Sequence, residues 1–216
     1  MTYLNLMNSV LRRLREEEVT TVNETTYSKM VGDFINDAKT MVEQAADWSA
    51  LRETIIKTTE VATGSEELTL TDSGDDVKVL SVINDTQNCF MDYQTKDWFD
   101  DRRYVSTEVS GAPKYYTFNG LYNGNTKVLV SPKPDGAYNL RFNVIKRQAN
   151  LSADGDTLLV PSLPVMHLAV ALLARERGET GGTSTAEYFA IADKYLSDAI
   201  AIDAAKHPEE MIFRTI

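Results

Sequence analysis

The residues that could do chemistry in this chain are few and scattered. There are two histidines, His167 and His207, and one cysteine, Cys89. A protein metal centre needs three or four such donors at a returning spacing, and neither histidine has a His-Glu-x-x-His or similar neighbourhood. No metal ion and no cofactor is expected. His167 lies near the apolar stripe of a helix, which suits a core or interface histidine. Cys89 has no adjacent histidine or cation to stabilise a thiolate and reads as an inert thiol. With one cysteine no intramolecular disulfide can form, which suits a reducing compartment. The glycines fall in turns and form no phosphate-cradling or nucleophile-elbow motif. Carboxylates are abundant, with 32 Asp and Glu. A paired-carboxylate hydrolase needs only two that converge, so that class stays open at this point. No residue is singled out as catalytic, and an enzyme is not the expected reading.

Charge narrows the partners. The 216 residues carry a formal net charge of −10, which argues against an autonomous binder of phosphate backbones, since that would need a basic face. Between Glu60 and Gly111 there are twelve acidic residues against four basic ones. That stretch is either a solvated face or a surface that must not adhere to a polyanion. No apolar run is long enough to cross a bilayer and no leader is apparent, so a cytoplasmic origin is expected.

The elements that must position these residues begin with helix. Leu4, Met7, Leu11 and Leu14 recur at helical spacing, with Thr2 as a cap and Arg12, Arg13 and Arg15 near the carbonyl end. A second helix is expected from Thr25 or Thr26 to about Ala46. Its apolar face would be Tyr27, Met30, Val31, Phe34, Ala38, Met41, Val42 and Ala45, with Trp48 plugging the end of the helix pair. From Thr54 to about Ser152 the period becomes two. Strands are expected at Ile55–Thr59, Glu67–Leu70 and Val77–Ile83, then a meander of Tyr115–Phe118, Lys127–Val130 and Tyr138–Ile145 with a tight turn at Pro134-Asp135-Gly136. Asp92–Arg103 fits a short helix or an aromatic loop. Helix returns after Pro161 with a stripe of Val165, Leu168, Ala169, Leu172 and Leu173, stopped at Gly178. Ser184-Thr185-Ala186-Glu187 is a capping box for a last helix whose seam is Tyr188, Ala192, Tyr195, Ala199 and Ile202.

This order predicts an α+β fold: a four-helix bundle formed by the N- and C-terminal helix pairs, with an antiparallel β insertion. The segments are a helix pair over 1–53, the β insertion over 54–152, a second helix pair over 153–205 and a tail over 206–216. Three features suit an interaction protein. The tail Met211, Ile212, Phe213, Arg214, Thr215 and Ile216 is apolar and could dock on a partner or fold back on the helices. The Tyr188 and Tyr195 seam is core or subunit contact. Arg141, Lys146 and Arg147 are candidate subunit-interface cations on an otherwise half-buried strand. A monomeric β-sheet binding module is a further class, with Trp98, Phe99, Tyr115 and Tyr116 as its surface, although such aromatics more often face a core.

The run Gly111-Ala112-Pro113 through Tyr115-Tyr116 and Leu129–Phe142, which includes Ser131-Pro132-Lys133-Pro134-Asp135-Gly136, resembles the central β part of bacteriophage head-to-tail adaptor (connector) proteins. Leu151-Ser152, Asp156–Pro161 and the helix carrying Ala169–Gly178 extend the resemblance over nearly the whole chain. In layout it is similar to the tail tubular protein A family of short-tailed phages. The resemblance implies a structural virion protein. It would be a homo-oligomeric ring, typically of twelve copies, that joins the portal protein to the nozzle or next tail protein in the tail or neck. It would extend the channel for duplex DNA during genome retention and ejection, without sequence-specific binding, after assembly in the host cytoplasm and with no membrane partner. Carried onto this chain, the portal contact would be Met211, Ile212, Phe213, Arg214 and Ile216, and the distal contact would fall in the β part. Acidic residues facing the channel, for instance Asp72, Asp75, Asp76, Asp100 or Asp101, would repel phosphate over the screening length of about 8 Å. The competing enzyme class then becomes a tail-associated cell-wall hydrolase.

Overall fold

A computed structural model describes residues 1–59, 66–71, 73–74, 76–106, 110–178 and 183–206. Among the described residues there are five helices and seven strands. The chain divides into two compact units, Met1–Leu51 with Gln148–Ile216, and Arg52–Arg147.

The first unit is helical: α1 (Tyr3–Arg13), α2 (Thr26–Ala45), α4 (Ser162–Glu176) and α5 (Thr183–Lys206). Helix α4 is the hub, packing on α1, α2 and α5. Its sequence explains why. Beyond the expected stripe, Met166, Val170, Ala171 and Ala174 are also buried, and a helix that is apolar nearly all round belongs inside. Helix α1 buries Tyr3, Leu6, Met7, Val10 and Leu11, while Leu4 and Leu14 are only half-buried. Thr2 makes no side-chain cap. It bridges Thr157 instead, and the first helical N–H groups of Tyr3 and Leu4 go to the carbonyls of Asp156 and Asp154. Helix α2 starts with a reciprocal cap between Thr25 and Ser28, the capping-box arrangement. Trp48 is fully buried after α2 and donates its indole N–H to the Val42 carbonyl at 2.7 Å.

Positions 39 and 43 of α2 break the apolar pattern. Lys39 and Glu43 are almost completely buried, and the Lys39 ammonium lies 3.3 Å from the Glu43 carboxylate. The same ammonium donates to the Gln148 carbonyl at 2.6 Å. A buried charge survives only when paired and hydrogen-bonded, and here one cation serves both.

The second unit is a sheet of seven strands: β1 (Arg52–Thr58), β2 (Glu67–Thr69), β3 (Lys78–Asn84), β4 (Cys89–Tyr93), β5 (Tyr115–Tyr122), β6 (Asn125–Ser131) and β7 (Asn139–Ile145). Their order across the sheet is β1-β7-β3-β4-β5-β6-β2. Leu70, Val82, Met91, Tyr116, Val128, Val130, Leu140, Phe142 and Val144 form one enclosed core. The outer strands approach each other where the Lys57 ammonium meets the Thr71 hydroxyl, so the sheet curls into a nearly closed barrel.

The expected fold class therefore needs correction. The molecule is not a four-helix bundle carrying an antiparallel insertion. It holds a seven-stranded mixed barrel together with five helices. Two connections account for the difference. Strands β4 and β5 are joined through the short helix α3 (Lys96–Asp100) and a π turn (Asp101–Val105), and this excursion brings β5 back parallel to β4. Strands β6 and β7, expected as neighbours in a meander, do not pair at all. β6 pairs with β5 and β2, and β7 pairs with β1 and β3. The Pro132–Tyr138 link crosses the barrel, so Val128 and Val130 meet Leu140 and Phe142 through the core instead of along a ladder. Gly136 does not adopt the left-handed conformation that the tight turn would have used.

Candidate functional site

The surfaces of the barrel are built from α3 and the strands beside it. The Thr95 hydroxyl caps α3 by accepting the Trp98 N–H. One helical turn then carries Trp98 to Arg102, whose guanidinium carbon sits 4.3 Å from the centre of the Trp98 ring. Trp98 also lies 4.8 Å from Tyr115 on β5 and 5.3 Å from Phe99. Phe99 and Tyr116 point into the core, while Trp98 and Tyr115 are half-buried. The four aromatics named from the sequence thus divide into two that pack and two that remain accessible.

A cavity of about 460 Å³ opens beside this turn, with Trp98, Asp101, Arg102, Arg103, Pro132 and Lys133 among its walls. Arg103 is 3.4 Å from Glu66, another wall residue. Arg102 and Lys133 have no carboxylate partner among the described residues. This cluster was not singled out by sequence reasoning. Its signal was the Trp98 to Arg102 spacing of one helical turn, with a lysine held between two prolines at Pro132-Lys133-Pro134.

The interface cations named from the sequence have intrachain partners. Arg141 on β7 grips Asp85 with Nε and Nη2, at 3.0 and 2.8 Å to the same carboxylate oxygen. Lys146 lies 3.6 Å from Glu53, and Arg147 pairs with Asp76. Lys127 and Asn119 hold Glu67 at 2.8 and 2.6 Å. Lys127 in particular keeps the Glu67 carboxyl below its ordinary range.

Of the proposed channel residues, Asp76 is thus paired with Arg147, and Asp100 lies 3.0 Å from Lys96. Asp101 is exposed on the cavity wall. Asp72 and Asp75 lie outside the described residues, as do the tail positions Met211, Ile212, Phe213, Arg214 and Ile216. His207 is outside them too. His167 stacks on Tyr195, with ring centres 4.6 Å apart, and so joins α4 to α5. Burial, and then the nearby Arg13, keep its imidazole pKa below the ordinary value. Cys89 is half-buried at the start of β4. Among the described residues no group of three His, Cys, Asp or Glu could hold a metal ion, and no helix is long and apolar enough to cross a membrane.

The geometry is that of a protein with a helical unit and a mixed barrel that carries an accessible aromatic and cationic surface. The chain belongs to the SU10 adaptor protein family, which matches residues 1–210. It is a phage structural adaptor protein, a class that works by joining other virion components. No curated protein matches it.

Proposed function

We propose that this adaptor assembles as a closed ring, a dodecamer by its likeness to the tail tubular proteins, between the portal and the next tail component. The observation that carries the reading is the family match over residues 1–210. The charge of −10 adds to it, because a duplex that must slide through a ring is slowed by lysines and arginines and kept moving by carboxylates. On this reading the apolar tail at Met211, Ile212, Phe213, Arg214 and Ile216 contacts the portal, and the barrel faces the next tail protein. Asp72, Asp75, Asp76, Asp100 and Asp101 are the channel-lining candidates. Asp76 and Asp100 are offset by Arg147 and Lys96, which lowers their share of the repulsion. On this reading Arg141, Lys146 and Arg147, the subunit-interface candidates, would reach a neighbouring copy as members of their intrachain ion pairs.

The test is to mix the purified protein with the portal and measure the mass and image of the complex. A ring seated under the portal is expected. A protein that never joins the portal would overturn the reading, whereas a monomer in isolation is compatible with assembly templated by the portal.

A further inference from the structure

The barrel pairs many of its own cations. Lys96, Arg103, Lys127, Arg141, Lys146 and Arg147 each face a carboxylate of the same unit. Among the described residues Arg102 and Lys133 have no carboxylate partner, and these two come together on the wall of the cavity beside α3. The Arg102 guanidinium carbon lies over the Trp98 ring, a contact that braces its N–H fork beside the cavity. A fork of that kind is the residue geometry that best takes a carboxylate. The remaining wall is aromatic and apolar, with Trp98, Phe99, Val130 and Pro132. Its volume, about 460 Å³, falls within the range of ligand pockets, about 300–1,000 Å³.

We propose that this cavity is a docking site for an acidic peptide segment of a partner protein, with an apolar residue next to its carboxylates. The carboxylates reach Arg102 and Lys133, and the apolar side chain lies against Trp98 and Pro132. Charge complementarity selects this occupant over a nucleic acid. Asp101 and Glu66 share the wall, so the unbroken run of charge on a phosphate backbone meets repulsion there, while a short peptide can set its carboxylates against the cations and turn its apolar side chain to the wall. Asp101 then belongs to this docking site and leaves the channel-lining set. The proposal deepens the adaptor reading by naming what the barrel would grip, and it rests on that reading only for the identity of the partner.

The experiment is a fluorescence titration of the intact protein. Trp98 is at the cavity and Trp48 is fully buried in the helical unit, so a ligand in the cavity changes the emission of Trp98. The probe is an acetylated Glu-Glu-Leu-Glu-Glu peptide. Saturable quenching is expected, weakened at least tenfold by Lys133→Ala and by exchanging the peptide's glutamates for glutamines. Arg102→Lys retains a charge without the fork and should weaken binding less than Arg102→Ala. Quenching should be absent in Trp98→Phe. No saturable signal, or wild-type affinity in the Lys133→Ala and Arg102→Ala proteins, overturns the proposal. So does tighter binding of inorganic phosphate or of a duplex oligonucleotide, which would mark a phosphate site. A protein that joins the portal but ignores the peptide refutes this proposal alone. One that takes the peptide but never joins a portal refutes the ring and leaves the site standing.

Discussion

Substitution of Gly32 offers a sharp test of how α1 and α2 are fitted together. Gly32 lies within α2, where glycine is about 1 kcal/mol worse than alanine. A methyl group there would ordinarily stabilise the helix. Here a Cβ would stand 2.3 Å from the Tyr3 hydroxyl oxygen, 3.4 Å from the end of Met7 and 3.5 Å from the Tyr3 ring carbon that bears the hydroxyl. Tyr3 is buried, and burial, followed by Asp33 and Asp156, raises its hydroxyl pKa to about 12. The obstacle is a neutral, rigid ring that cannot swing into water. Overpacking of this kind costs about 1–3 kcal/mol, so Gly32→Ala should destabilise the helical unit by up to about 2 kcal/mol once the propensity gain of about 1 is subtracted. Tyr3→Phe removes the oxygen and leaves the 3.4 Å contact with Met7 and the 3.5 Å contact with the ring, both at van der Waals distance. In that background the same substitution should stabilise by about 1 kcal/mol. The assay is urea unfolding of the four proteins of the cycle in a Trp98→Phe background, so that buried Trp48 reports on the helical unit. The coupling between the two positions should be about 1–3 kcal/mol. If Gly32→Ala stabilises equally with Tyr3 or Phe at position 3, the packing argument is wrong.

Two further outcomes follow from buried and half-buried charge. Lys39→Met should cost about 3–5 kcal/mol because Glu43 loses its cation in an enclosed site, with about 1 kcal/mol more for the Gln148 carbonyl that loses its donor. Lys39→Met with Glu43→Met should recover most of the loss in the same urea assay, and a double variant as unstable as the single one would refute this account. His167 has a folded pKa below its unfolded value of about 6.5, so its neutral form is the one the fold favours. Its contribution is complete above pH 6.5 and is lost as pH falls through the folded pKa, because the unfolded chain takes up the proton first. Urea midpoints measured between pH 7.5 and pH 5.5 should therefore fall less steeply for His167→Phe than for the wild type, and parallel slopes would exclude His167 as the source.

Local pattern carried some elements well and failed where a tertiary choice overrode it. The alternation in β7 placed Leu140, Phe142 and Val144 on one face, and all three are buried. The pattern gives helix α2 its true ends but not its buried face. Met41 is exposed, whereas Ile35, Lys39 and Glu43 are inside, because a lysine and a glutamate at i and i+4 look like solvent residues until a carbonyl from the distant position 148 completes them. Strand β4 was missed. Its five residues, Cys89–Tyr93, show no clear alternation, and its parallel partner is brought alongside by α3. No local signal could reveal that β6 and β7 lie on opposite sides of a core. The cavity suffered likewise: Arg102 could be read against Trp98, but Lys133 joins them only through the curl of the sheet. The acidic stretch looked uniform in sequence, yet Asp76 and Asp85 are neutralised by arginines more than fifty positions away.

The incomplete closure of the barrel has a consequence for how copies meet. A sheet that stops short of closing keeps two outer strands, and unpaired strand edges are templates for runaway stacking between chains. In this chain one of them, β2, is three residues long, too short to seed a ladder. The other, β1, is seven residues long and places Arg52, Glu53 and Lys57 along its length, with Lys57 folded across the gap onto Thr71. A stray strand that approached would have to displace that lysine and bury its charge. In the proposed ring, copies would thereby be steered to touch through side chains, whose pattern can dictate a closed number, and away from backbone pairing, which would add chains without limit.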